Sequence, residues 1–165
     1  MLRETLMGTA AGAAGTVALN VTTYADMALR GRPASEVPAE VAGTLAEKVG
    51  LHLDEQAQSG QREIATKAKN RESGLGALLG YVAGLGVGTA YGLIRPRLGG
   101  RSSRLLAGAA LGMAAMATGE LPGIVLGKTN PKNWGAKGWL ADIVPHLAYG
   151  LVTAAVYEAF AGEEG

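Results

Sequence analysis

Apolar residues gather into four long stretches, at residues 6–29, 74–94, 105–127 and about 140–160, with polar connectors between them. Each stretch is long enough, at about 1.5 Å per residue, to cross the ~30 Å hydrocarbon layer of a bilayer as a helix. The second, GLGALLGYVAGLGVGTAYGLI, carries no charge at all. The pattern predicts an all-α fold, an integral membrane bundle of four transmembrane helices forming a single membrane domain over residues 1–165. Its one sizeable extramembrane segment is residues 30–73.

Inside the second stretch Gly76, Gly80, Gly84, Gly88 and Gly92 recur at every fourth position. In water each glycine in a helix interior costs about 1 kcal/mol relative to alanine. In a bilayer the backbone satisfies its own hydrogen bonds whatever the side chain. A ridge of glycines then lets a second helix come close enough for dispersion contacts to replace the missing hydrophobic drive. The five glycines are therefore read as a helix-packing surface, used within the bundle or between two copies of the chain.

The other stretches are less uniform. The first, LMGTAAGAAGTVALNVTTYADMAL, is diluted by Asn20, Asp26 and several threonines, and offers Gly8, Ala11, Gly12 and Gly15 as small docking residues. A signal peptide is its rival reading, with Arg3 as the positive end, but no small-x-small cleavage site precedes a polar start. Within residues 30–73, Ser35 is a candidate cap, Gly50 a stop, and Val37, Val41, Leu45 and Val49 an apolar stripe for a short amphipathic helix against the bundle or the membrane surface. The polar residues 54–72 are expected to continue as helix into the glycine-ridged span. A tight basic loop with Arg95, Arg97, Arg101 and Arg104 follows. In the third stretch Pro122 predicts a kink. Trp134 and Trp139 before the fourth suit an aromatic belt at a membrane surface. Arg30, Arg32, Arg62, Lys67, Lys69, Arg71, Lys128, Lys132 and Lys137 outnumber Arg3 and the four loop arginines, which favours a cytoplasmic side for the first and third connectors.

Composition narrows the function classes. Glycine supplies 26 of 165 residues without a collagen period, and the 48% hydrophobic content contains one Phe, so the apolar surface is built mostly from Ala, Leu and Val. A net charge of +1 gives no electrostatic footprint for nucleic acid, and without Cys there is no disulfide, thiolate metal site or cysteine nucleophile. No catalytic triad order, phosphate-cradling loop or HExxH motif is present. No enzyme activity, cofactor or metal is expected; the expected partners are the lipid bilayer and a second copy or another membrane protein.

The ionisable residues in or beside the spans are the candidates for function, because such groups are costly in a bilayer. With four crossings, Asp26, Glu120, Asp142 and His146 fall in the same half of the membrane. Asp142 and His146, four apart, share a helix face on which a proton or metal could be shared. A plainer reading has Asp142 capping the last helix, Pro145 in its first turn, His146 bonded to a carbonyl, Asp26 paired with Arg30, Glu120 bonded around the Pro122 kink and Glu158 paired with the arginines.

The last span, DIVPHLAYGLVTAAVYEA, with its His-Leu pair before an aromatic and a long apolar run, resembles the closing segment of small bacterial inner-membrane proteins of the YagU-like kind. VTTYADMALRGRPAS near the start is similar to uncharacterised membrane proteins of high-GC actinobacteria. The resemblance implies a multi-pass protein of the bacterial plasma (inner) membrane with a link to acid tolerance, and maps one position, His146. Two functions follow as expectations: a non-enzymatic structural or accessory component packed through glycine-rich faces, or a proton- or small-solute-permeation protein using the Glu/His/Asp cluster. A membrane-embedded enzyme using that cluster as a metal site is a third reading.

Overall fold

A computed structural model describes residues 1–53, 56, 58, 60–98 and 103–162. Among them the regular structure is helical throughout: α1 (Leu2–Arg30), α2 (Val37–Lys48), α3 (Arg62–Ile94), α4 (Arg104–Val125) and α5 (Gly135–Gly162), with 3-10 turns at Arg95–Leu98 and Pro131–Asn133. Gly31, at φ 62°, ends α1 in a left-handed conformation that a side chain would disfavour. α3 is continuous through its polar first turns, where Glu63 and Lys67 pair at 2.6 Å, into the glycine-rich run.

Three helices, Arg62–Arg97, Arg104–Val125 and Gly135–Gly162, are long and apolar enough to cross a membrane. Among the described residues α1, the first of the four expected spans, is not one of them. α1 has the length, at 29 residues, but Arg3, Glu4, Asn20, Asp26 and its threonines lower its apolarity below that of the others. α5 also starts earlier than expected, at Gly135, so Asp142 lies about two turns inside the helix and does not cap it, and Pro145 is an interior residue. Pro122 likewise sits within α4, which continues to Val125.

Contacts divide the chain into two compact units: Met1–Pro33, Tyr81–Thr118 and Lys132–Gly165 form one, Ala34–Gly80 and Gly119–Pro131 the other. In the first unit α1 runs antiparallel to α3, so that Gly8 and Gly12 descend along α3 as Gly92, Gly88 and Gly84 ascend. The backbones touch. A Cβ placed on Gly88 would lie 2.5 Å from Gly12 Cα, and one on Gly8 2.5 Å from Gly88 O, closer than carbon and oxygen can approach. Gly15, one turn on, turns to α5 instead, where a Cβ would lie 2.8 Å from Tyr149 O. A second seam joins α4 to α5, with Gly112 against His146 O at 2.5 Å and Gly150 against the backbone of Gly108 and Gly112.

Apart from Leu111 and Met116, the enclosed hydrophobic residues of this unit are small or aromatic: Ala11, Tyr91, Ala115, Tyr149, Ala154 and Tyr157. Its large aliphatic side chains, among them Val17, Val21, Val82, Leu105, Leu106 and Leu140, point outward. A water-soluble domain has the opposite arrangement, and so broad an exposed apolar surface needs a lipid solvent or a partner to cover it.

In the second unit α2 rests on α3 and α4. A Cβ on Gly76 would meet the Pro38 carbonyl at 2.7 Å, and one on Gly123 the Val37 side chain at 2.7 Å. The helix starts with a proline in its first turn, and Ser35 Oγ accepts from Val37 N at 3.4 Å. Gly50, at φ 83°, follows its end. The expected apolar stripe divides: Val41 is buried, Leu45 and Val49 are exposed, and Ala42, Gly43 and Ala46 complete the packed face. Successive fourth positions drift by about 40° at 3.6 residues per turn; on α2 that drift keeps Leu45 and Val49 between Val41 and Ala42, and they are exposed at the helix end, past the contacts with Gly76 and Gly123.

The ridge on α3 obeys the same arithmetic. Gly84, Gly88 and Gly92 abut α1, Gly76 abuts α2, and Gly80 has no atom near enough to obstruct a side chain. Gly88→Ala is therefore expected to lower stability by about 1–3 kcal/mol through overpacking, whereas Gly80→Ala leaves it within about 0.5 kcal/mol or raises it. Denaturant titration of the two variants in micelles, followed by circular dichroism, measures the difference.

Candidate functional site

The inward face of α5 carries Asp142, His146, Tyr149, Thr153 and Tyr157, spaced four, three, four and four residues apart. Such spacing keeps them on one helix face, and it draws a polar stripe along a candidate span. Tyr149 and Thr153 are fully enclosed. Tyr149 Oη donates to Gly84 O at 2.6 Å and Tyr157 Oη to Gly92 O at 3.1 Å, the same eight-residue interval on each helix, so α3 and α5 run parallel. Glycine makes these bonds accessible, since no side chain shields the carbonyl. Thr16 Oγ1 donates to Gly12 O at 2.8 Å and Thr153 Oγ1 to Tyr149 O at 2.7 Å. Thr9 and Thr89 meet across α1 and α3 at 2.7 Å, each also 2.8 Å from the carbonyl one turn back. A hydroxyl has one proton to give. Apart from the Thr9–Thr89 link and Tyr91, whose buried Oη has no hydrogen-bond partner, the core hydroxyls of the unit spend theirs on backbone carbonyls.

Three of the four ionisable candidates, Asp26, Asp142 and His146, lie in the first unit. Asp26 is engaged at the end of α1, where Arg30 Nη2 donates to Oδ2 at 2.6 Å and Arg32 Nε at 2.5 Å. Cations there also complement the helix dipole. Asp142 and His146 do meet, with His146 Nδ1 3.1 Å from Asp142 Oδ1 and 2.8 Å from the Asp142 carbonyl oxygen. Both oxygens accept, so Nδ1 carries the proton, and in a neutral ring Nε2 holds the lone pair. Asp142 Oδ2 is buried without a hydrogen-bond partner. Glu120, half-buried near the end of α4, belongs to the other compact unit. Among the described residues no three His, Cys, Asp or Glu side chains are placed to hold a metal ion.

Sequence reasoning passed over Tyr149, Thr153 and Tyr157, although the four-three-four-four spacing from Asp142 was visible. The expected pairing of Glu158 with the arginines is observed. Glu158 takes Arg95 Nη2 at 3.2 Å and Arg104 Nε at 2.5 Å, tying the end of α5 to the turn after α3 and to the start of α4. The Tyr91 and Tyr157 rings meet edge to face beside it, centroids 5.3 Å apart. At the opposite end of α5, Trp134 and Trp139 pack at 4.9 Å.

Comparison of the chain with known protein families, with curated proteins and with solved structures gives no match.

Tyr149→Phe keeps the ring and removes one interhelical bond; a loss of about 0.5–1.5 kcal/mol is expected. The two arginines at Glu158 differ in burial, 13% exposed for Arg95 against 65% for Arg104. Arg95→Ala should cost about 1–3 kcal/mol by stranding a largely enclosed carboxylate, and Arg104→Ala less than about 1 kcal/mol. The same micellar titration, repeated at high salt, ranks them.

Proposed function

We propose that the chain is a small multi-pass helical membrane protein with four crossings and a non-enzymatic, structural or accessory role, held together through its glycine-rich helix faces. Three helices meet the requirements of length and apolarity for crossing. α1 is the fourth because it packs antiparallel to α3 along the glycine-rich length of that helix and antiparallel to α5, with its polar Thr9 and Thr16 turned inward and Val17 and Val21 turned out. The bacterial inner membrane is the proposed location, resting on the resemblance of the last span, and a second copy or another membrane protein is the proposed partner.

The observation that carries this reading is where the core hydroxyl protons go. A proton wire needs each group to donate to the next, yet Tyr149, Tyr157, Thr16 and Thr153 donate to main-chain carbonyls. The two tyrosines fasten α5 to α3, the two threonines bond back along their own helices, and none of the four forms a relay. The permeation reading draws its support from Asp142, whose Oδ2 is buried and unpartnered beside His146, since intramembrane acids and histidines serve as proton carriers elsewhere.

Purified protein in liposomes under an imposed pH gradient separates the two. The structural reading expects proton flux no greater than in protein-free liposomes, with Glu120→Gln and His146→Ala unchanged and Gly84→Leu reducing the recovery of folded protein. Flux that His146→Ala abolishes in a folded protein establishes permeation instead.

A further inference from the structure

The exposed apolar edge of α2 is the feature that the packing of the second unit leaves unexplained. At about 100° per residue, α2 divides into three sectors. Val41, Ala42, Gly43 and Ala46 are buried; Glu40, Thr44, Glu47 and Lys48 form a polar sector; Leu45 and Val49 lie between Val41 and Ala42 by angle, yet are exposed at the end of the helix. Leu45 is 40% exposed, Val49 75%, and Leu51 just beyond 55%. Apolar side chains displayed beside a polar sector need a covering.

Two contacts fix the level at which this edge lies. The Pro38–Ala39 backbone sits on Gly76, the third residue of the uncharged run 74–94, so about 3 Å inside its boundary. Val37 and Val41 sit on Gly123, four residues before the end of the apolar stretch 105–127, or about 6 Å inside. α3 enters its apolar run where α4, crossing back, leaves its own, so both contacts mark the same face of the membrane. The first turns of α2 are thereby held about 3–6 Å inside the apolar boundary, the shallow level at which interfacial helices bury an apolar face.

We infer that α2 is an interfacial helix whose Leu45, Val49 and Leu51 insert into the headgroup–acyl boundary of the bilayer, with Lys48 beside them reaching to the phosphates. Lysine suits that position, since its methylene stem lies along apolar surface while the ammonium stays hydrated. Glu40 and Glu47 face water. The inference rests on the membrane-spanning reading and adds a lateral lipid anchor to it.

The chain has no cysteine, so single-cysteine variants of the full chain can carry a nitroxide at one chosen position. Leu45→Cys, Val49→Cys, Leu51→Cys and Glu40→Cys would be labelled, together with Leu78→Cys, an exposed residue in the uncharged run of α3. In vesicles of phosphatidylethanolamine and phosphatidylglycerol, collisions with dissolved oxygen and with a water-soluble nickel chelate report the surroundings. Labels at 45, 49 and 51 are expected to favour oxygen, as at 78, with the order reversed at 40. Favouring nickel at 45 and 49 while 78 favours oxygen overturns the anchor and leaves the spanning reading intact. Nickel favoured at 78 overturns both. Spin–spin broadening at 45 or 49 that vanishes on dilution with unlabelled protein assigns the edge to a second copy and overturns the lipid anchor.

Discussion

Backbone-to-backbone contact between α1 and α3 is the constraint on which the first compact unit depends. Lipid tails are as apolar as leucine, so burying leucine between helices gains little in a bilayer. What remains is dispersion, which falls steeply with distance. Gly8 and Gly12 against Gly84, Gly88 and Gly92 remove the Cβ at the closest points of the seam and bring main-chain atoms within the reach of a missing methyl. The large aliphatic residues are then free to face outward, and they do. The composition is thus a consequence of the contact: many glycines and alanines inside, Leu and Val outside.

Glycine seams have a second effect, on polarity. A helix without side chains on one face presents bare carbonyls, and α5 uses them through Tyr149 and Tyr157, which bond Gly84 and Gly92. Tyrosine supplies a wide apolar ring to fill the crease and one hydroxyl to anchor it. The polar stripe of α5 therefore stabilises the bundle, and near one end the Arg95–Glu158–Arg104 group closes it with charge. Asp142 and His146 are its one pair of titratable groups in mutual contact.

The helical class, the positions of the apolar stretches and the pairing of Asp26 with Arg30 follow from local pattern and spacing, which depend on neighbours within a turn. The start of α5 did not. Asp142 and Pro145 resemble a helix start by residue type, yet the helix already runs from Gly135, because a helix packed along its length tolerates one interior proline at the loss of a single backbone bond. α1 was placed as a span by its length, while its polar residues lower its apolarity; its fit to α3 and α5 is a property of three helices together.

The glycine ridge shows most directly what each level decides. Sequence by itself determined that small residues would recur along one strip of α3, that no charge would interrupt it and that the chain would suit a bilayer better than water, since these depend on residue type and spacing alone. Which neighbour each glycine meets was decided by tertiary structure. A period of four drifts by about 40° per step on a helix of 3.6 residues per turn, so five glycines cannot all face one partner; α2 takes Gly76, α1 takes Gly84, Gly88 and Gly92, and Gly80 falls between. Periodicity names a face, but only the positions of the surrounding helices assign it a partner.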